Sequence, residues 1–176
     1  MGFLDKIFSF FKKKEKKEET VIGYSIDELE KGDIVEIAGE TWEVIEKGYY
    51  DYGEWKEKSF RIRSSRSEGF LSKDEEGIYF FTEDDIRNLS LDPISYLKKE
   101  EDLPEEISFK GRPFRLKFSA GAYYVTEKGS SPVIVWDFED TEGNLLEILQ
   151  WSDEDFEVLS GRRLEEWEIE NVLRRG

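Results

Sequence analysis

The chain has no cysteine and no histidine, and only one methionine, four prolines and one glutamine (Gln150) among 176 residues. Without cysteine there is no disulfide framework and no thiol chemistry. Without histidine as well, an ordinary zinc site and Ser-His-Asp or Cys-His catalysis are excluded. No apolar run reaches the roughly 20 residues that a helix needs to span a bilayer. Asparagine is scarce too (Asn88, Asn144 and Asn171), beside a surplus of Glu and Lys. Few thermolabile side chains with many charges is the pattern expected of a thermophile. Positive charge is also in short supply: 26 Lys and Arg face 42 Asp and Glu, a net charge of −16.

What is present is enough for a folded body. Hydrophobic residues make up 38% and aromatics 15%, which supplies a core and argues against global disorder. The charge is uneven. Residues 1–20 hold six Lys against four acids, so the remainder carries 20 cations, 38 acids and −18. A small basic head on an acidic body suggests two jobs for two parts.

At 100° per residue, Phe3, Leu4, Ile7, Phe8, Phe10 and Phe11 of the head fall on an arc of about 160°, followed by Lys12, Lys13, Lys14, Lys16 and Lys17. The order is wrong for a secretory signal, because the charges follow the apolar part. Residue 6 is Lys, so the Met-Gly start does not meet the myristoylation pattern. A Phe-rich face beside a Lys cluster suits an interfacial anchor whose rings enter the acyl boundary while lysines meet anionic headgroups. The alternatives are docking on a partner protein or on the chain's own body. Lys12 to Glu19 then forms a solvated charged linker.

From Val21 onward the pattern is β-rich. Lys31-Gly32-Asp33 leads into alternating Ile34–Ile37, and Ala38-Gly39-Glu40 turns into Thr41–Ile45, a hairpin in form with Trp42 and Val44 on one face. Ile107 to Leu116 repeats that plan around Gly111. Phe70-Leu71-Ser72 and the acidic stretch after it line up with Gln150-Trp151-Ser152, and Trp55 to Ile62 with Val133 to Phe138. A repeat of roughly 75 residues suits a small barrel or curled sheet. The expectation is a mainly β protein: a leader over 1–20, a first half-unit over 21–90, a connector over 91–106 and a second half-unit over 107–176. The two half-units, each a small barrel or curled sheet, pack together, with an N-terminal amphipathic helix. Leu164 to Arg175 is a second helix candidate with Leu164, Trp167 and Val172 as its buried stripe, although Trp167-Glu168-Ile169 could instead finish a strand.

The order Gly32-Asp33-Ile34-Val35, Gly39, Trp42, Val44, Trp55, Phe70-Leu71-Ser72, Ala122-Tyr123-Tyr124 and Trp151-Ser152 resembles the bacterial domain of unknown function 4178 family over about residues 27–170. The resemblance implies membrane-associated maintenance or stress work, in the company of polyamine-synthesis enzymes, small membrane proteins and relatives of phage-shock-protein A. It supplies no catalytic residues.

The remaining candidates are weighed against simpler readings. Asp74-Glu75-Glu76, Glu83-Asp84-Asp85 and Asp153-Glu154-Asp155 could ligate a hard cation, but solvated turns explain them more economically, so no metal ligands are assigned. Asp137 to Asn144 lacks the alternation and the distant bidentate Glu of a Ca²⁺ loop, and Glu142-Gly143-Asn144 reads as the turn between Val133–Phe138 and Leu145–Leu149. A carboxylate pair at glycosidase spacing arises by chance among 42 acids; no catalytic residue and no cofactor is assigned. Tyr49, Tyr50, Tyr52, Tyr123 and Tyr124 could stack on a ligand or partner, though alternation buries half of such residues. Arg61, Arg63 and Arg66 could hold a phosphate or pair with neighbouring acids. Gly121–Tyr123 and Gly129–Ser131 lack the lysine and setting of a phosphate loop. An acidic body disfavours nucleic acid. The leading expectation is a non-catalytic adaptor or accessory protein, cytoplasmic and peripheral at the inner face of the cell membrane, with an anionic membrane surface and a protein as partners. The alternatives are a polyamine or small-cation binding protein and an acidic decoy for a nucleic-acid-binding protein.

Overall fold

A computed structural model describes residues 25–174. Among these residues, eleven strands make one antiparallel sheet. They are β1 (Ile34–Ile37), β2 (Glu40–Asp51), β3 (Lys56–Arg63), β4 (Glu68–Lys73), β5 (Ile78–Asp84), β6 (Glu106–Phe109), β7 (Arg112–Thr126), β8 (Gly129–Glu139), β9 (Asn144–Gln150), β10 (Phe156–Leu164) and β11 (Ile169–Leu173). β1–β5 and β6–β10 are two consecutive meanders. They meet twice, where β5 pairs with β10 and where the C-terminal part of β2 pairs with β7. The second meeting closes eight strands into a ring, so the halves are not two separate barrels but stretches of one sheet.

Both meanders open with a two-residue turn in which both residues have positive φ, Ala38-Gly39 (49° and 82°) and Lys110-Gly111 (50° and 78°). That is the turn geometry whose twist matches paired strands. In each case the following strand carries a bulge: β2 between Val44 and Glu46 against β3, and β7 between Leu116 and Phe118 against β8. An extra residue reverses which side chains face which side of the sheet. Trp42 and Val44, ahead of the first bulge, enter a core with Val35, Ile37, Phe60, Ile62 and Leu71. Phe114, ahead of the second, enters another with Ile107, Trp136, Phe138 and Ile148. Beyond the bulges, Tyr50 and Ala122 face instead a third cluster shared by both meanders, with Phe70, Phe81, Val133, Val135, Leu149 and Leu159.

The flanking segments seal the two outer cores. Ile26 and Leu29 cover the first. The connector covers the second with Leu89 and Leu103, helped by Leu91, Tyr96 and Leu97 around the short helix α1 (Pro93–Leu97). Gly32-Asp33 has a structural role. Gly32 takes φ +95°, and the Asp33 carboxylate, 1% exposed, accepts the Glu30 amide at 2.8 Å and meets Arg174 at 3.3 Å.

Two expectations are corrected. The C-terminal run is not a helix: β10 extends to Leu164, Glu166–Glu168 makes one 3-10 turn, and Ile169–Leu173 pairs with β1. Leu164 and Val172 are buried, but Trp167 is 73% exposed, because strand pairing and not helical spacing sets which residues face inward. The match of Ser72 with Ser152 is also out of register. Ser72 lies buried within β4 opposite Ser59 and Tyr79, whereas Ser152 lies in the β9–β10 turn. The expected N-terminal helix and linker lie outside the described residues.

Candidate functional site

The β2–β3 turn is tight. The Tyr52 amide donates to the Trp55 carbonyl at 3.0 Å, with Gly53 at φ +89° and its amide on the Asp51 carboxylate at 2.9 Å. This geometry stacks the Tyr52 and Trp55 rings at 4.9 Å and 17°. Phe118, turned inward by the β7 bulge, abuts both at 5.5 and 5.7 Å. Tyr50 continues the wall inward, 6.3 Å from Tyr52 and 5.0 Å from Tyr124.

Beside this wall lies a cavity of about 760 Å³ between the two meanders. Eight of its eighteen lining residues are Asp or Glu and two are Lys. Its deepest acids come from three strands: Glu57 on β3, Asp137 on β8 and Glu147 on β9. Asp137 and Glu147 are direct cross-strand partners, an arrangement of like charges that is unfavourable while both are ionised. Glu147 is only 8% exposed. Asp137 Oδ1 is sealed from solvent and has no hydrogen-bond partner among the described residues.

The titration behaviour follows from that geometry. Burial pushes the Glu147 carboxyl well above its ordinary range, and the neighbouring Asp137 pushes it further. Asp137 is raised by burial and by Asp74, against the hydrogen bond from Glu147 that favours its charge. Glu57 is pushed up to about 8 by burial, then by Asp137 and Asp74. Tyr79 is pushed up to about 12 by burial and by Asp74, and burial also raises Tyr52. Chemically, the cavity offers clustered oxygen acceptors, a store of protons and a flat aromatic flank. Among the described residues no set of three or more His, Cys, Asp or Glu has the geometry to hold a metal ion.

Of the five tyrosines singled out from sequence, Tyr50, Tyr52 and Tyr124 come together. Tyr49 and Tyr123 do not: they alternate onto the other face, Tyr49 beneath the Lys56 ammonium at 4.9 Å and Tyr123 58% exposed. Of the three arginines, Arg63 and Arg66 line one surface cavity with Ser64, Ser65 and Glu43, and Arg61 does not join them. Arg61 pairs with Glu68 at 2.7 Å, and Arg63 lies 3.7 Å from Glu43. The first and third acid clusters sit in turns, with the Asp74 side chain accepting the Glu76 and Gly77 amides. Asp140 fills the same role in the β8–β9 turn, accepting the Glu142 and Asn144 amides. Sequence reasoning missed Glu57, Asp137, Glu147 and Phe118. An acid among the apolar residues of a strand was the available signal for Asp137 and Glu147. The membrane-anchor residues Phe3 to Lys17 lie outside the described residues.

Fold and cavity together define an all-β protein with an acidic, aromatic-flanked pocket between two meanders. The chain matches the family described as "Domain of unknown function (DUF4178)" over residues 30–166 and belongs to that family. It is 43% identical over 176 residues to an uncharacterized protein of Aquifex aeolicus (strain VF5), a match covering 99% of this chain and 100% of that relative. No solved structure matches. No helix among the described residues is long and apolar enough to cross a membrane.

Proposed function

We propose that this protein is a non-catalytic binder of small organic cations of the polyamine class. The observation that carries the reading is the cavity in which buried Asp137 and Glu147 face one another with no cationic partner among the described residues, beside the Tyr52–Trp55–Phe118 wall. Polyamines are linear chains of methylenes between ammonium groups. Their charged groups suit carboxylates taken out of water, and their methylenes suit flat aromatic surface. The lysines that line the cavity, Lys56 and Lys117, form no ion pair with a described residue and are exposed at the rim.

The leader adds a second element to the same reading. Phe3, Leu4, Ile7, Phe8, Phe10 and Phe11 with Lys12–Lys14, Lys16 and Lys17 hold the protein at an anionic membrane surface, as an accessory protein of membrane maintenance. The acidic body then stands off the leaflet, where cations concentrate. The correspondence of turns and bulges between the meanders supports an origin of the body in a duplicated half-unit.

Two experiments test these elements separately. Spermidine at about a hundredfold its Kd stabilises a binding protein by about 2.7 kcal/mol, which raises Tm by about 5–10 °C in a body of this size. An unchanged Tm across millimolar spermidine at about 0.15 M salt contradicts the binding function. Flotation with anionic and neutral liposomes, beside a chain starting at Thr20, tests the leader. Only the full chain floats, and only with anionic lipid, if the anchor is real; unchanged flotation after Phe8→Glu and Phe11→Glu overturns it.

A further inference from the structure

Asp137 and Glu147 lie directly opposite each other on adjacent strands of the cavity wall, an arrangement that disfavours two ionised carboxyls and constrains what can enter. Groups face the Glu57–Asp137–Glu147 cluster from every element around it. They are Tyr50 and Tyr52 of β2 and its turn, Glu54 and Lys56 at the β2–β3 turn, Asp74, Glu75 and Glu76 of the β4–β5 turn, and Tyr79 of β5. Lys117 of β7, Glu139 of β8 and Glu157 of β10 complete the set. The surroundings are therefore mostly acidic or neutral; the cations are the two rim lysines, Arg163, which donates to the Glu76 carbonyl and acts on Tyr79, and Arg61, which acts on Glu157.

Two features discriminate among cations. Asp137 Oδ1 has no donor among the described residues, and an ammonium with N–H groups can supply one where a quaternary ammonium cannot. The aromatic rings are not splayed into an open box: Tyr52 and Trp55 lie on each other, and Phe118 closes against both. A tetramethylated nitrogen needs ring faces on several sides, whereas a methylene chain needs one flat flank.

We propose that the Glu57–Asp137–Glu147 cluster takes the primary ammonium head of a linear alkyl diamine in exchange for a proton, with the methylenes lying along Tyr52, Trp55 and Phe118 toward the mouth. The inference rests on the cation-binding reading above and names the head group and its coupling. The exchange balances: the O–H bond of the carboxylic acid breaks, the proton leaves to solvent, and the carboxylate pairs with the incoming ammonium. No covalent bond forms and no electrons are transferred. Burial and the facing Asp137 favour the protonated form of Glu147, and burial pushes Glu57 up to about 8, so one or both supply the proton. Binding therefore tightens as pH rises toward the range in which the cluster ionises unaided.

The test is calorimetric titration of the full chain with 1,4-diaminobutane at near-neutral pH and about 0.15 M salt. It is run in two buffers of different ionisation enthalpy, and repeated with the bis-trimethylammonium analogue. The expected result is a saturable isotherm whose enthalpy differs between the buffers by the heat of about one proton. Kd tightens about tenfold from about pH 6 to about pH 7, and the quaternary analogue binds at least about tenfold more weakly. Asp137→Asn weakens the diamine about tenfold or more, while Glu100→Gln on the exposed connector leaves it unchanged. Should Asp137→Asn fail to fold, Glu57→Gln on a different strand provides the same comparison, with a smaller buffer difference. Equal enthalpies in the two buffers, or equal affinity for the quaternary analogue, overturn proton exchange while leaving cation binding intact. Absence of saturable binding by the diamine, by spermidine and by the analogue overturns both.

Discussion

Glu57, Asp137 and Glu147 are costly residues to keep where they are. Each buries a carboxyl among other carboxyls, and a solvated position would stabilise the fold more. Their effect on stability has a definite sign. Glu57 is pushed up to about 8 from an ordinary value of 4.5, so between those values the folded chain binds more protons than the unfolded chain. Its contribution to stability is present at acid pH and is lost as pH rises through about 8. We expect Tm to fall between pH 4.5 and about pH 8, and Glu57→Gln to flatten that fall and raise Tm at the alkaline end. An identical pH profile in the variant would sink the assignment. Asp33, by contrast, is a buried acid whose hydrogen-bond partners are supplied. Asp33→Ala strands the Glu30 amide and removes the carboxylate that Arg174 meets, and should cost about 1–3 kcal/mol in chemical denaturation. The Gly32-Asp33 pair was legible in the sequence as a feature, but its use was not. The side chain's partners lie three residues away and at the far end of the chain.

At the scale of elements, the two bulges decide where the cavity can be. Ile45 in β2 and Lys117 in β7 are the extra residues, and they turn Tyr50 and Phe118 away from the outer cores toward the shared interior. Deleting Ile45 should restore simple alternation, expel Tyr50 and Tyr52, and abolish cation binding even where β structure persists by circular dichroism. Retained binding would contradict the bulge's role. Close approach of strands is as demanding. A Cβ on Gly161 would lie 2.2 Å from the Phe80 carbonyl oxygen and 2.6 Å from Phe81 Cδ1. Gly161→Ala therefore should cost about 1–3 kcal/mol, read as a lowered midpoint in urea. The hairpins were legible in the sequence because Ala38-Gly39 and Lys110-Gly111 sit between alternating runs. The bulges were not, since neither Ile45 nor Lys117 differs in type from an ordinary strand residue. The last run was ambiguous because Leu164, Trp167 and Val172 fit both periods, and only pairing with β1 decides between them.

At the scale of the whole molecule, three clusters of core residues follow from one sheet closing on itself. Each meander wraps a core of its own, and the β2–β7 and β5–β10 seams enclose a third with residues from both. The acidic cavity adjoins that third cluster, so it exists only while the two meanders are joined. Composition announced the excess of acids but not their placement. With 42 Asp and Glu in the chain, the three that matter are distinguished by burial, a property set by the ring and not by local sequence. The most direct measurement is equilibrium dialysis of labelled spermidine against the full chain and against Asp137→Asn, at about 0.05 and about 0.3 M salt. The expected result is saturation at one ligand per chain at both salt concentrations, lost in the variant. Uptake that rises without saturating, collapses at the higher salt and is unchanged by Asp137→Asn would mean that only the bulk charge of the body attracts cations.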